Sequence, residues 1–228
     1  MTIRAKPETG SLIQRPPRLG EEVYNAIYAQ LMTLQIPPGA RISVDSLVRE
    51  LGVSQTPIRE ALSRLEAQGL VTKTHLVGYS ATNQIDRKRL EQLYELRLLL
   101  EPHAAAMAAT NMSDEALNDL ETLAADMMLH TDENEDPRAA YSRFARKDSA
   151  FHDKIADGSG NELIQEALAR LYIHVHLFRL FYHTLATATA NTEHEEILDA
   201  LKRRAPEDAE AAMRRHIARS RERFMLAV

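Results

Sequence analysis

Ser54-Gln55-Thr56-Pro57-Ile58-Arg59-Glu60-Ala61-Leu62-Ser63-Arg64-Leu65-Glu66 reads as one helix with two different faces. Ile58, Leu62 and Leu65 recur at i, i+4 and i+7, the spacing of a buried stripe. Gln55, Arg59 and Ser63 fall on another face at i, i+4 and i+8. Ser54 stands where it can cap the start, and Pro57 sits in the first turn, where a missing N–H costs little. Upstream, Ser43–Leu51 forms a second short amphipathic helix, broken at Gly52-Val53. Two short helices across a glycine-containing turn, the second leading with hydrogen-bonding side chains, make a helix-turn-helix, whose second helix enters the major groove by its N-terminal end. An ordinary amphipathic helix pair fits the same spacing, so the pattern alone leaves both readings open.

Working outward, Leu19–Leu34 places Val23, Ile27, Leu31 and Leu34 on one helical stripe, and Ile36-Pro37-Pro38-Gly39-Ala40 ends it. Gly69 closes the second helix of the motif. Leu70–Ala81 then loosely alternates polar and apolar residues and is interrupted by Gly78, as a short hairpin or wing would be. Such a wing can bring Lys73, His75 or the backbone near Gly78 to DNA, or it can simply cover the core. Residues 1–17, with Gly10, Pro16 and Pro17, read as a flexible arm. From Arg87 the pattern is helical almost to the end, with expected helices at Arg87–Thr110, Ser113–Thr131, Pro137–Gly158, Asn161–Thr187, Thr192–Ala205 and Pro206–Leu226. Asp132–Asp136 and Ala188–Asn191 read as loops, and residues 82–88 as the domain boundary.

Composition sets the outer limits. The 228 residues suffice for one large or two modest domains, and 44% hydrophobic with 27% charged residues is a soluble globular balance. Only 5% aromatics, with abundant Ala, Leu, Glu and Arg, favours helix over sheet. No apolar run reaches the about 18 residues needed to cross a bilayer, and Met1–Leu19 has no signal-peptide core. A chain without cysteine forms no disulfide or thiolate metal site, which fits a cytoplasmic protein. The net charge of −5 is unevenly spread: residues 1–85 hold nine Lys/Arg against seven Asp/Glu, a net +2, leaving −7 for the remainder. One part can approach phosphates and the other would not.

Leu51-Gly52-Val53-Ser54-Gln55-Thr56-Pro57-Ile58-Arg59-Glu60-Ala61-Leu62, then Arg64-Leu65-Glu66 and Gly69-Leu70-Val71, resembles the winged-helix domain of GntR-family regulators. Leu93-Tyr94-Glu95-Leu96-Arg97 with Leu100-Glu101, Asp148 with His152, Gly160-Asn161, Glu193-His194 and His216 resembles the FCD effector domain of that family's FadR-type branch. The resemblance spans about residues 18 to 226. The expected fold is therefore mainly α: an N-terminal winged helix-turn-helix domain (18–83) behind the arm (1–17), then an all-α helical-bundle effector and dimerisation domain (84–228). The implied protein is not an enzyme. It is a ligand-responsive, homodimeric transcriptional regulator, a repressor by the commoner behaviour of that family, bound to near-palindromic double-stranded operator DNA with no membrane partner.

By the same resemblance, Arg59 contacts bases or phosphates, with Ser54, Gln55 and Thr56 beside it. Gln55 departs from the family pattern, in which Arg is commoner. Arg grips guanine O6 and N7, whereas Gln suits adenine N6 and N7, so the operator half-site is expected to differ there. Asp45 stands where the family sometimes has a DNA-binding Arg, which removes that contact.

Asp148 and His152, four apart, share a helix face and make a half-site for a divalent cation. His194 and His216, from two later helices, complete the set that the resemblance implies. Nitrogen and oxygen ligands without sulfur suit Zn, Ni, Mn, Co or Fe and do not choose among them. The effectors implied are small carboxylates, bound at the cation and gripped by Arg97, unless Arg97 is instead paired with Glu101. His176 and Arg179 are further candidates to line that cavity. A metal-dependent enzyme acting on a small organic acid is the alternative, although it leaves residues 43–81 without a purpose.

Overall fold

The computed structural model describes residues 18–128, 137–171, 173, 177 and 186–226. The expected arm at 1–17, the expected loop at 132–136 and the candidates His176 and Arg179 lie outside them.

Helix α1 (Arg18–Met32) buries Val23, Ile27 and Leu31, the expected stripe. It ends two residues before the expected Leu34, which is half-buried with φ at +59°. Strand β1 (Arg41–Ile42) follows, then α2 (Val44–Leu51) and α3 (Gln55–Ala67). Ser43 caps α2 by accepting from the Ser46 N–H, and Gly52 ends it at φ +66°, a left-handed conformation that glycine adopts without steric cost. Ser54 occupies the corresponding position before α3, but its side chain makes no capping hydrogen bond. That expectation is corrected: helix α3 is held by burial of Ile58, Ala61, Leu62 and Leu65.

Strands β2 (Val71–Thr74) and β3 (Gly78–Ala81) form the expected antiparallel hairpin, with Lys73 opposite Tyr79. Gly78 opens β3 rather than interrupting a strand. Strand β1 adds to the far side of β3, giving the order β1-β3-β2. Two residues cannot display alternation, so β1 had no signature in the sequence.

The remaining described chain is helical: α4 (Arg87–Asn111), α5 (Asp114–Met128), α6 (Pro137–Gly158), α7 (Glu162–Arg170), α8 (Ala186–Lys202) and α9 (Pro206–Met225). Asn161 caps α7 by accepting from the Ile164 N–H. The single expected helix over Asn161–Thr187 is corrected, since α7 stops at Arg170 and the Leu171 N–H turns onto the Leu168 carbonyl. The loop expected at Ala188–Asn191 is also corrected, because α8 already runs from Ala186. The alanines there are strong helix formers, and Ala190 is buried.

Pro102 lies inside α4 and has no N–H to give the Leu98 carbonyl. Arg214 of α9 donates to that carbonyl instead, at 3.4 Å. Helix α9 lies along α4, pinned further by a 2.8 Å hydrogen bond between the Tyr94 and Ser220 hydroxyls.

Two apolar cores result. One gathers Val23, Ile27, Leu31, Ile58, Leu62, Leu65 and Tyr79. The other gathers Leu90, Tyr94, Leu120, Phe151, Ile197 and Ile217 from the helical bundle. Helix α6 serves both: Ala145, fully buried, belongs to the first core with Tyr141 and Phe144 packed against it, while Phe151 and Ile155 belong to the second. Among the described residues, no helix is long and apolar enough to cross a membrane.

Candidate functional site

Two groups of side chains answer to the expected sites. The first lies at the start of α3, where Ser54, Gln55, Thr56, Arg59 and Ser63 are all exposed above the buried stripe. Gln55 Nε2 donates to Asp45 Oδ1 at 2.9 Å, and the Arg59 guanidinium donates to Gln55 Oε1 at 3.3 Å. In the hairpin, Lys73, His75 and Gly78 are exposed beside the bare tip residue Leu76. Recognition helix and wing thus expose every expected DNA-contacting residue to solvent.

The second group lies inward, with His194 and His216 buried and Asp148 and His152 half-buried. Helix α6 supplies Asp148 and His152, α8 supplies His194, and α9 supplies His216. One potential ligand nitrogen from each histidine lies within 4.8 Å of the others. Asp148 Oδ1 stands 3.3 Å from His194 Nε2. His194 and His216 are 1% and 3% exposed. Neither ring nitrogen of His194 makes a hydrogen bond, nor does His152 Nε2, while His152 Nδ1 pairs with Glu101 Oε2 at 2.7 Å. Buried polar atoms without partners are costly, so orphaned imidazole nitrogens converging on one point are a physical argument for a bound cation. About 3.3 Å separates nitrogens that share a tetrahedral ion, so a small contraction would close the set.

Two carboxylates that the sequence reading did not assign support these histidines. Glu193 accepts from His216 Nδ1 at 2.8 Å and from Arg223 at 2.8 and 3.0 Å. With Nδ1 donating, the lone pair of His216 lies on Nε2, the usual arrangement of a ligating histidine. Glu101 pairs with Arg97 at 2.5 and 3.3 Å and faces His152. Arg97 and Glu101 are 2% and 3% exposed, so the forked pair is fully inside the protein. Arg97 therefore takes the Glu101 pairing that the sequence left open. Adjacency to His194 marked Glu193, and i, i+4 spacing from Arg97 marked Glu101, but neither signal reveals which imidazole each would reach.

The electrostatics follow from burial. Burial, reinforced by the facing imidazoles, pushes His194 and His216 well below the ordinary histidine range, so both rings stay neutral with lone pairs to offer. Burial also disfavours charge on His152, but Glu101 outweighs it and holds the ring above its usual value. Burial raises Asp148 against the pull of His152 and Arg97. Glu101, despite its burial, is held well below the carboxylate range by Arg97 and His152.

Beside the cluster is a cavity of about 410 Å³, within the range of small-molecule sites. Arg97, Asp148, Ser149, His152 and Gln165 give it polar walls, and Ala67 and Gln68 at the end of α3 close one side. A second space of about 30 Å³ is lined by residues that include Asp148, His216 and Arg223.

Residues 92–219 match the FCD domain, and residues 19–79 match the description "Bacterial regulatory proteins, gntR family". The chain is 25% identical to the "Uncharacterized HTH-type transcriptional regulator YdhC" of Bacillus subtilis, over 90% of each chain. It is 29% identical to the "Probable D-xylose utilization operon transcriptional repressor" of Paenarthrobacter nicotinovorans, over 88% of this chain and 86% of that one. The solved structure of McbR/YncC from Escherichia coli has the same fold, with a TM-score of 0.65 at 22% identity, covering 92% of this chain and all of the other. The metal-dependent enzyme alternative is set aside on these grounds, since the matching families and relatives are regulators. The chain belongs to the GntR family of bacterial transcriptional regulators, joining a DNA-binding helix-turn-helix domain to a helical FCD effector domain.

Proposed function

We propose that this regulator is a homodimeric repressor released from its operator by a small carboxylate that binds beside a divalent cation. In this reading, residues 18–83 read DNA and residues 84–228 sense the ligand and dimerise. The observation that carries it is the convergence of His152, His194 and His216, with orphaned nitrogens on two of them, next to a polar cavity of ligand size. Nitrogen ligands with Asp148 nearby suit Zn, Ni, Mn, Co or Fe. A cation held there supplies positive charge and open coordination positions to a carboxylate. Ser149 and Gln165 offer hydrogen bonds to the remainder of the ligand, and Glu101 and Glu193 hold the imidazoles in place. FCD domains are associated with metal binding. The Paenarthrobacter relative, by its name a probable repressor, supports the sign of regulation.

Each protomer would insert one α3 into a half-site of a near-palindromic operator, with Lys73, His75 and the backbone at Gly78 meeting phosphates from the wing. Helix α6 offers the route between sites. It carries Asp148 and His152 on one stretch and docks Ala145, Tyr141 and Phe144 into the DNA-binding core on another. Arg146 adds a 3.2 Å hydrogen bond to Asn25 of α1, and Gln68 at the cavity wall accepts from the Tyr24 hydroxyl at 2.6 Å. A ligand that prefers one arrangement of these contacts shifts the spacing of the two recognition helices; one with equal affinity for both shifts nothing. Thermal-shift screening of small carboxylates on metal-loaded protein tests the reading, because a ligand binding only the folded state raises apparent stability. Hits that require the metal and weaken operator binding support it; hits indifferent to the metal overturn it.

A further inference from the structure

We infer that Asp45 is a positioning residue for base readout, fixing the Gln55 carboxamide in the one orientation that recognises adenine. The inference rests on Gln55 reading a base. Asp45 lies in the first turn of α2 and Gln55 opens α3, and the turn at Gly52-Val53-Ser54 brings the two together. The Gln55 amide is held at both ends: Nε2 donates to Asp45 Oδ1 at 2.9 Å and Oε1 accepts from Arg59 at 3.3 Å. A carboxylate only accepts and a guanidinium only donates, so the partners dictate which end is nitrogen. The flipped amide would set oxygen against carboxylate and N–H against guanidinium, two repulsions in place of two bonds.

A carboxamide has two N–H donors and two acceptor lone pairs. The network consumes one of each and leaves one of each. One free donor and one free acceptor complement adenine, whose major-groove edge offers N7 as acceptor and N6–H2 as donor. Guanine offers two acceptors, O6 and N7, and would demand both N–H groups, one of which Asp45 already holds. Asp45 thus acts without touching DNA, as it withholds from Gln55 the second donor that guanine needs. Its charge also faces the phosphates that a docked helix approaches, which weakens binding to every sequence alike. All three side chains are exposed and none belongs to either apolar core, so the arrangement has little to do with stability.

The test is selection from a randomised half-site, followed by competition binding, using the full-length wild type and its Asp45→Ala, Asp45→Asn, Gln55→Ala and Asp45→Ala/Gln55→Ala variants. Wild type should prefer adenine at one position, and Gln55→Ala should erase that preference. Asp45→Ala should cut adenine-over-guanine discrimination at that position about five- to tenfold, the lower part of what a bidentate contact is worth. Preferences elsewhere should hold, and binding to random DNA should tighten. Asp45→Asn, which keeps an acceptor, should fall between, and in the Gln55→Ala background Asp45→Ala should alter no base preference. A uniform gain in affinity with the base preference intact would overturn the positioning role and leave only phosphate repulsion. A preference that survives Gln55→Ala would overturn the adenine reading, and the role of Asp45 with it. Melting curves for Asp45→Ala and Asp45→Asn should match wild type, and if Asp45→Ala unfolds while Asp45→Asn keeps full discrimination, the inference fails.

Discussion

The polar side chains at the tip of α3 and those around the histidine cluster are held in opposite ways. On α3, Gln55 and Arg59 are exposed and bonded to each other, with Gln55 also donating to Asp45, and in water these bonds are each worth little net free energy. That exposure suits a reader, which can meet a base with the donor and acceptor that these bonds leave free. Around the cluster, His194, His216, Glu193, Arg97 and Glu101 are all buried, where an unmet polar group is expensive. The carboxylates and cations there are paired, and His152 Nδ1 rests against Glu101, yet His152 Nε2 and both nitrogens of His194 have no hydrogen-bond partner. One region economises on commitment so that it can bind many times. The other tolerates a local deficit that a bound ion would relieve.

The most damaging change to this contrast is His152→Ala. It should lose both the bound metal and the effector response while the protein remains folded, as read by metal analysis and operator binding; metal content equal to wild type would remove His152 from the site. Arg59→Ala should weaken operator binding by about one to two orders of magnitude, as expected when a base or phosphate contact of one to a few kcal/mol is removed. Dimerisation and ligand binding should be untouched, and retained specific binding would contradict the docking of α3. Glu193→Gln keeps the shape but takes away the charge that orients His216, so metal affinity should fall about 10- to 100-fold by titration. An unchanged affinity would mean that the carboxylate serves only Arg223. Smallest is Gln68→Ala at the wall between cavity and α3. It should alter the coupling between carboxylate and operator by about 0.5–2 kcal/mol, with each separate affinity nearly intact. Equal coupling in the variant would place the route through α6 alone.

The sequence was most legible where periodicity is long. The buried stripes of α1 and α3 and the span of α6 at Pro137–Gly158 follow from spacing alone, and so does the pairing of Asp148 with His152 on one face. His194 and His216 came from family resemblance, since nothing local distinguishes them among nine histidines. What escaped depends on contacts between distant residues. Strand β1 exists because β3 is beside it, and the stretch expected as a loop at 188–191 is helical with Ala190 buried. Glu193 and Glu101 could be seen as neighbours of interesting residues, but their work is done across helices, on His216 and His152. The double allegiance of α6 is the same kind of fact, because its stripe looks like any buried stripe until two cores are seen to share it.

His152, His194 and His216 converge as the ligands of one divalent cation would. Metal-stripped protein should be offered Zn, Ni, Mn, Co and Fe in turn and its uptake counted by native mass spectrometry, beside the His194→Ala variant. One ion per wild-type chain is expected for at least one of these metals, with a higher melting temperature on loading and no comparable uptake by the variant. A wild type that takes up none of them, or a His194→Ala variant that binds as well, would contradict that expectation.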